Sequence, residues 1–226
     1  MSQEVMTQSQ LATLAREKED LMVNGLLVRH TAAVRLTHWL VAIFFFLSLF
    51  TGFVIFTPFF AGWAGVFGGG PMVRTLHPWF ALGFTLAVFF LYRYWKTKMR
   101  KESGDEEWKD NFGPYIRYES ELQNVGKYNA GQKIYFWAVF WGAIAFLASG
   151  LVMWFPTAFP YFLRTVSYWL HEITFVAFVI GIIYHIYMST TAMPGTFRAM
   201  TRGTVTKDWA KWHHARWYRE VTGEKK

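Results

Sequence analysis

The chain has no cysteine. Disulfides, thiolate zinc sites, protein-held iron–sulfur clusters and thioether-attached haem all need that sulfur, so each is excluded and any metal must use other ligands. Charge is scarce as well. Only 17% of the 226 residues are charged, while 53% are hydrophobic and 20% aromatic; an ordinary soluble domain carries roughly a quarter charged residues. That balance argues against a water-soluble domain. Acidic residues are the rarer sign, 15 against 23 Lys and Arg, for a net charge of +8. A basic surplus can mark a nucleic-acid binder, so the position of the charges has to decide.

Long stretches carry no charge at all. Residues 36–73 hold 38 positions without Lys, Arg, Asp or Glu, and Trp39 to Phe56 within them is almost unbroken apolar sequence. A bilayer crossing takes about 20 residues, so this stretch fits one span and a loop. Thr75 to Tyr92 (18 residues) and Ile134 to Leu163 (30 residues) each fit one further span. Ile173 to Phe197 (25 residues) supplies a fourth, with a helix-stopping sequence at Met193-Pro194-Gly195. The expected fold class is an all-α membrane protein, a four-helix transmembrane bundle. Helices of a small soluble bundle need a polar face, and Val41 to Phe50 offers only Ser48.

Basic residues outside these spans number 4 through Arg35, 9 from Arg93 to Lys133 and 8 from Arg198 onward, leaving Arg74 and Arg164 for the opposite loops. By the positive-inside rule both termini and the central loop are cytoplasmic, in a multi-pass protein of the membrane lipid. The net charge is therefore a topology signal, and no nucleic-acid partner is expected. Three regions follow: a cytoplasmic arm over 1–34, a transmembrane domain over 35–197 with its cytoplasmic loop at 93–133, and an interfacial tail over 198–226. The charges in Ala15 to Asp20 argue against a secretory signal, and the arm is expected as a short amphipathic helix or a flexible segment. In the tail, Trp209, Trp212, Trp217 and Tyr218 alternate with Lys207, Lys211, Arg216 and Arg219, which suits a helix in the lipid headgroup layer or one docked on a partner.

Seven histidines divide into two sets. His30, His213 and His214 stand among polar neighbours and read as surface residues. His38, His77, His171 and His185 lie in or at the ends of the apolar segments, where an imidazole is costly unless it is satisfied. His171 and His185 share one helix 14 residues apart, about 21 Å of rise and about 40° short of four full turns, so they face nearly the same way at opposite depths. The direction of each crossing sets His171 level with His77, and His185 level with His38. Two imidazole couples stacked across a helical bundle suit two b haems with both axial positions filled, an arrangement for electron transfer. Small residues near the ligands, Ala42, Ala81, Gly83 and Gly181, would admit a flat macrocycle. A proton relay usually recruits intramembrane Asp or Glu, and only Glu172 lies near a span. A single zinc or copper centre cannot bridge the distance from His171 to His185. A membrane anchor or channel with structural histidines is the reading from a different class.

Ahead of the third span stands Gly126-Lys127-Tyr128-Asn129-Ala130-Gly131-Gln132-Lys133. Asn129 followed three residues later by Gln132 reads as a reciprocal helix cap. The same geometry can serve a ligand: free N–H groups and side-chain amides at a helix start can hydrogen-bond a quinone carbonyl as it gains negative charge.

Several of these stretches resemble a known family. Arg35-Leu36-Thr37-His38-Trp39, Leu76-His77-Pro78, Val125 to Lys133, Leu170-His171, Tyr184 to Met188 and the tail reading WAKWHHARWYRE are similar to the cytochrome b556 (gamma) subunit of membrane-bound formate dehydrogenases, in order from about residue 28 to 221. Paired histidines alone are shared with the cytochromes b of membrane-bound hydrogenases; the stretch before the third span and the tail favour formate dehydrogenase. The resemblance implies a bacterial inner-membrane subunit with two haem b, a partner iron–sulfur (beta) subunit, and a catalytic (alpha) subunit with molybdenum or tungsten that oxidises formate. It implies that His77 and His171 hold the periplasmic-side haem and His38 and His185 the cytoplasmic-side haem. Asn129, Gly131 and Gln132, with His185, would form the site where menaquinone or ubiquinone from the quinone pool is reduced. The first 27 residues and the charge of Glu172 beside a ligand depart from the pattern.

Overall fold

A computed structural model describes residues 8–224, so the first seven residues of the expected arm and the last two of the tail lie outside the described residues. The elements run in order as α1 (Gln8–Glu17), β1 (Leu21–Val23), β2 (Leu26–Val28), α2 (Ala32–Phe56), α3 (Gly70–Trp95), α4 (Gly104–Asp110), α5 (Phe112–Ile116), α6 (Ala130–Trp154), α7 (Tyr161–Tyr187), α8 (Thr196–Thr201), β3 (Thr204–Thr206), α9 (Lys207–His213) and α10 (Ala215–Thr222). Four helices, α2, α3, α6 and α7 with its continuation to Ala192, are long and apolar enough to cross a membrane. Each is apolar on nearly all sides, the composition of a helix surrounded by lipid and other helices.

Two of these helices begin earlier than the charges suggested. α3 starts at Gly70, seven residues before His77, and α7 at Tyr161, ten before His171. Arg74 and Arg164 mark the edge of the apolar zone, but neither residue breaks a helix, so the turns simply continue through them. Gly68 and Gly69, with φ of 86° and 99°, make the reversal into α3, a backbone region in which an L side chain is strained. At the other end, α7 passes into a π-helical turn over Met188–Ala192. It stops at the expected Met193-Pro194-Gly195, where Gly195 has φ of 92°.

The chain forms two compact units, and the long helices contribute to both. The polar unit comprises the chain through Leu36, Trp95–Phe136, and the chain from Ile182 onward. It contains a small three-stranded sheet in the order β1-β2-β3, both pairs antiparallel, with Leu27 opposite Val205. Asn24 and Gly25 join β1 to β2 with φ of 51° and 77°, the double left-handed conformation of a two-residue hairpin turn. Leu27, Val205 and Ala210 pack with Trp209, Trp217 and Tyr218 in its core. The tail aromatics expected at a lipid surface or a partner are thus largely buried inside this unit; a helix rich in tryptophan looks alike in either role. His30, His213 and His214 are buried too, at 1–2% exposure, against the surface reading. Tyr115 lies 2.8 Å from His213 Nδ1, and His214 Nδ1 donates to the Gly126 carbonyl at 2.7 Å.

The apolar unit comprises Thr37–Tyr94 and Trp137–Gly181. Phe84, Val88 and Ala143 form its buried core, surrounded by Phe45, Phe146 and Phe178. Large apolar side chains such as Ile43, Trp141 and Ile180 remain exposed, as expected of a surface whose solvent is hydrocarbon. Gly83 belongs to this packing. A Cβ there would come within 2.6 Å of the Phe44 ring, so its small size serves a helix–helix contact and not the approach of a macrocycle.

Candidate haem-binding site

In the apolar unit, α3 and α7 bring His77 and His171 together, with ring centroids 6.3 Å apart and planes at 63°. A ligating imidazole nitrogen sits about 2 Å from its metal and about 1.2 Å from its own ring centroid, so two axial imidazoles on one iron place their centroids roughly 6.4 Å apart. The observed spacing fits that geometry. Both rings line a cavity of ~390 Å³ whose walls include Phe45, Phe146, Phe175 and Ala81. Apolar walls with two convergent nitrogens are what a macrocycle with a central metal requires.

Each ring is held at its other nitrogen. His77 Nδ1 lies 2.9 Å from Thr51 Oγ1 on α2, and His171 Nδ1 lies 3.0 Å from Ser149 Oγ on α6. With Nδ1 engaged, Nε2 is the nitrogen left for a ligand bond, the division of labour common to metal-bound histidines. Thr51 and Ser149 were missed in the sequence, where single hydroxyls in apolar runs carry no visible signal. Arg74, one turn before His77, lines the same cavity, and Glu172 lines it with one carboxylate oxygen enclosed and without a hydrogen-bond partner.

The other two histidines belong to different units. His38 lies two turns into α2, edge-on to Trp39 with centroids 5.5 Å apart. His185, near the end of α7, stacks on Tyr135 of α6 at 4.8 Å and 5°. That parallel contact fixes the plane of the His185 ring.

At the start of α6 the reciprocal cap is present. Gln132 N–H donates to Asn129 Oδ1 at 2.9 Å, and Asn129 N–H donates to Gln132 Oε1 at 3.1 Å. Gly131 is required by packing, since a Cβ would come 2.7 Å from Trp108. Behind the cap, Lys133 pairs with buried Asp105 at 2.8 Å, and the Arg29 guanidinium donates to the Lys127 carbonyl at 2.5 Å. Arg29 also lies over the rings of Trp209 and Trp217, 4.9 and 5.2 Å from their centroids. Glu19 meets Lys98 at 2.5 Å and Lys127 at 2.7 Å. Burial alone would raise the Glu19 carboxyl, but His30, Lys127 and Lys98 outweigh it and hold it below the usual carboxylate range. Burial pushes His30 down to about 3 and His213 to about 4, with Arg29 adding to both, although Glu19 partly counters the shift at His30.

Four membrane-length helices that bring imidazoles from separate helices together across an apolar cavity define a membrane-bound cytochrome of the b type. The chain belongs to the family described as prokaryotic cytochrome b561, whose model matches residues 29–203. It is similar to the formate dehydrogenase cytochrome b556(fdo) subunit of Escherichia coli K12, 36% identical over 206 residues, which are 88% of this chain and 96% of that one. It is also similar to the formate dehydrogenase cytochrome b556 subunit of Haemophilus influenzae, 33% identical over 199 residues covering 86% of this chain and 83% of that one. The nitrate-inducible cytochrome b556(Fdn) subunit of Escherichia coli K12 is 33% identical over 200 residues, 87% of this chain and 92% of its own.

Proposed function

We propose that this chain is the dihaem, quinone-reducing membrane subunit of a formate dehydrogenase complex in a bacterial inner membrane. The observation that carries the reading is the His77–His171 couple, at the spacing of two axial ligands and with each Nδ1 held by a hydroxyl. Likeness to formate dehydrogenase subunits over almost the whole chain supports the choice of complex. When bound, haem b would supply one-electron transfer.

His77 and His171 would hold the periplasmic-side group, and Arg74 on the same cavity wall would offer its cation to the carboxylates of that group. His38 and His185 would hold the second, with the His185 ring stacked on Tyr135. The spacing of His171 and His185 along one helix keeps the two couples about 21 Å apart in rise. Asn129, Gly131 and Gln132, together with His185, form the quinone site. The cap uses the carbonyl oxygens of Asn129 and Gln132 and leaves the Gln132 NH₂ as a donor, while the Asn129 side chain also meets Tyr115, and the N–H groups of Ala130 and Gly131 lie in the same first turn. These donors and the positive end of α6 stabilise negative charge growing on a quinone oxygen. An iron–sulfur subunit delivers electrons from a molybdenum or tungsten catalytic subunit, since this chain has no cysteine with which to hold a cluster. With both termini cytoplasmic, quinol takes its protons from the cytoplasm and formate releases its own outside, so electron flow charges the membrane.

A reduced-minus-oxidised spectrum of the purified chain tests the reading, with two b haems per polypeptide expected and none if the histidines are structural. Adding formate or hydrogen to membranes and recording which one reduces the haem separates a formate dehydrogenase from a hydrogenase cytochrome. His171→Ala removes the periplasmic-side haem and blocks reduction by formate; normal quinone reduction in that variant contradicts the route.

A further inference from the structure

We propose that Thr51 and Ser149 are positioning residues that fix the tautomer and the ring plane of His77 and His171, the same device used once on each side of the cavity. The inference rests on the haem reading above. A hydroxyl has one proton to give. Thr51 Oγ1 lies 2.7 Å from the Leu47 carbonyl, and Ser149 Oγ lies 2.6 Å from the Ala145 carbonyl, four residues back on their own helices. Those carbonyls take the hydroxyl protons, an ordinary bond for Ser and Thr inside a helix. What each oxygen then presents to its histidine is a lone pair. Nδ1 must therefore be the protonated nitrogen in both rings, leaving the Nε2 lone pair for iron. The opposite tautomer would require each hydroxyl to turn away from its carbonyl.

The setting keeps this arrangement in place. Thr51 is 0% and Ser149 1% exposed, so water does not compete for either oxygen. Each hydroxyl residue is followed by a glycine, and a Cβ at Gly52 or Gly150 would stand 3.5 Å from His77 Cε1 or 3.7 Å from His171 Cε1. The imidazole thus meets a hydroxyl at Nδ1 and bare backbone beside Cε1. Thr51-Gly52 on α2 serves the histidine of α3, and Ser149-Gly150 on α6 serves the histidine of α7. A neutral oxygen is also a weak acceptor. A carboxylate in its place would draw the Nδ1 proton, make the ligand more basic and stabilise ferric iron. The hydroxyls orient the rings while keeping both ligands close to neutral imidazole.

The test is a redox titration of the intact complex in the haem α band, with low-temperature EPR and the rate of haem loss to apomyoglobin. The variants are Thr51→Val, Ser149→Ala, the double variant, and the hydroxyl-keeping Thr51→Ser and Ser149→Thr. In the Val and Ala variants one of the two b components is expected to move to a higher midpoint and to change its low-spin g values. Its haem should leave roughly tenfold faster or more, the usual scale for losing such a partner. The other component stays unchanged, and the hydroxyl-keeping variants stay near wild type. An unaltered midpoint, EPR signal and rate of haem loss in the double variant overturns the proposal. So does a haem loss that Thr51→Ser and Ser149→Thr reproduce, because that would make the role one of shape alone. A wild-type complex with fewer than two b components brings down the haem reading itself, a result distinct from either.

Discussion

The polar and apolar units hide polar groups in opposite ways. In the polar unit several enclosed groups carry full charge beside buried imidazoles and Asn129, and each charge is held by another group: Glu19 by Lys98 and Lys127, Asp105 by Lys133, and Arg29 by backbone and two indole faces. In the apolar unit the buried polar residues are hydroxyls, Thr51, Ser149 and Ser167. The contrast follows from the solvent. A charge at hydrocarbon depth costs roughly 2.5–3.5 kcal/mol or more, so neutral donors and acceptors do the work there. Where water is near, a full ion pair can be assembled and closed over. One unit therefore closes over ion pairs, and the other over neutral hydroxyls.

The sharpest way to separate them is Asp105→Ala, which leaves buried Lys133 without its nearest carboxylate and with only Glu102 at 3.7 Å. Removing one member of a buried pair costs about 3–5 kcal/mol. Denaturant unfolding followed by tryptophan fluorescence should show that loss, Lys133→Met added to it should recover part, and the haem spectrum should not change. Gly83→Ala tests the apolar unit in return. The new Cβ meets the Phe44 ring, and overpacking of this kind costs about 1–3 kcal/mol, visible as a lower melting temperature and faster haem loss. Acidification should act on the polar unit. His30 and His213 sit at about 3 and about 4 in the folded chain, below the ordinary ~6.5. The unfolded chain binds protons first, so their contribution is whole above about pH 6.5 and falls as the pH drops toward the folded values. The melting temperature of the solubilised protein should decline between about pH 7 and about pH 5, and a His30→Gln variant should decline less. The smallest effect expected is from Glu172→Gln. Removing a carboxylate from the cavity wall should raise the midpoint of the haem proposed there slightly, and an unchanged midpoint would assign Glu172 to the hydrated rim.

Much of this was legible in the sequence because it depends on composition. Uncharged stretches located the four helices, and Met193-Pro194-Gly195 located the end of the last. The relation of His77 to His171 followed from helix direction and depth alone. What stayed hidden depends on contacts between distant segments. Thr51 and Ser149 look like filler until a second helix sets an imidazole against each. His30, His213 and His214 sit among charges, and only folding shows that those charges face one another. Asn24-Gly25 is a hairpin signal set between two short apolar triplets, Leu21-Met22-Val23 and Leu26-Leu27-Val28.

The Glu19 contacts have a consequence for ionic strength. Lys127 and Glu19 are 11% and 8% exposed, so mobile ions have little access to the pair, whereas both partners of Lys101–Glu106 and of Arg117–Glu119 are more than half exposed. Raising salt should weaken those outer pairs and leave the first intact. The segment leading into α6 is thereby tied to the arm by a bond insensitive to osmotic swings in the cell, and its shape at the mouth of the helix stays constant as the surrounding medium changes.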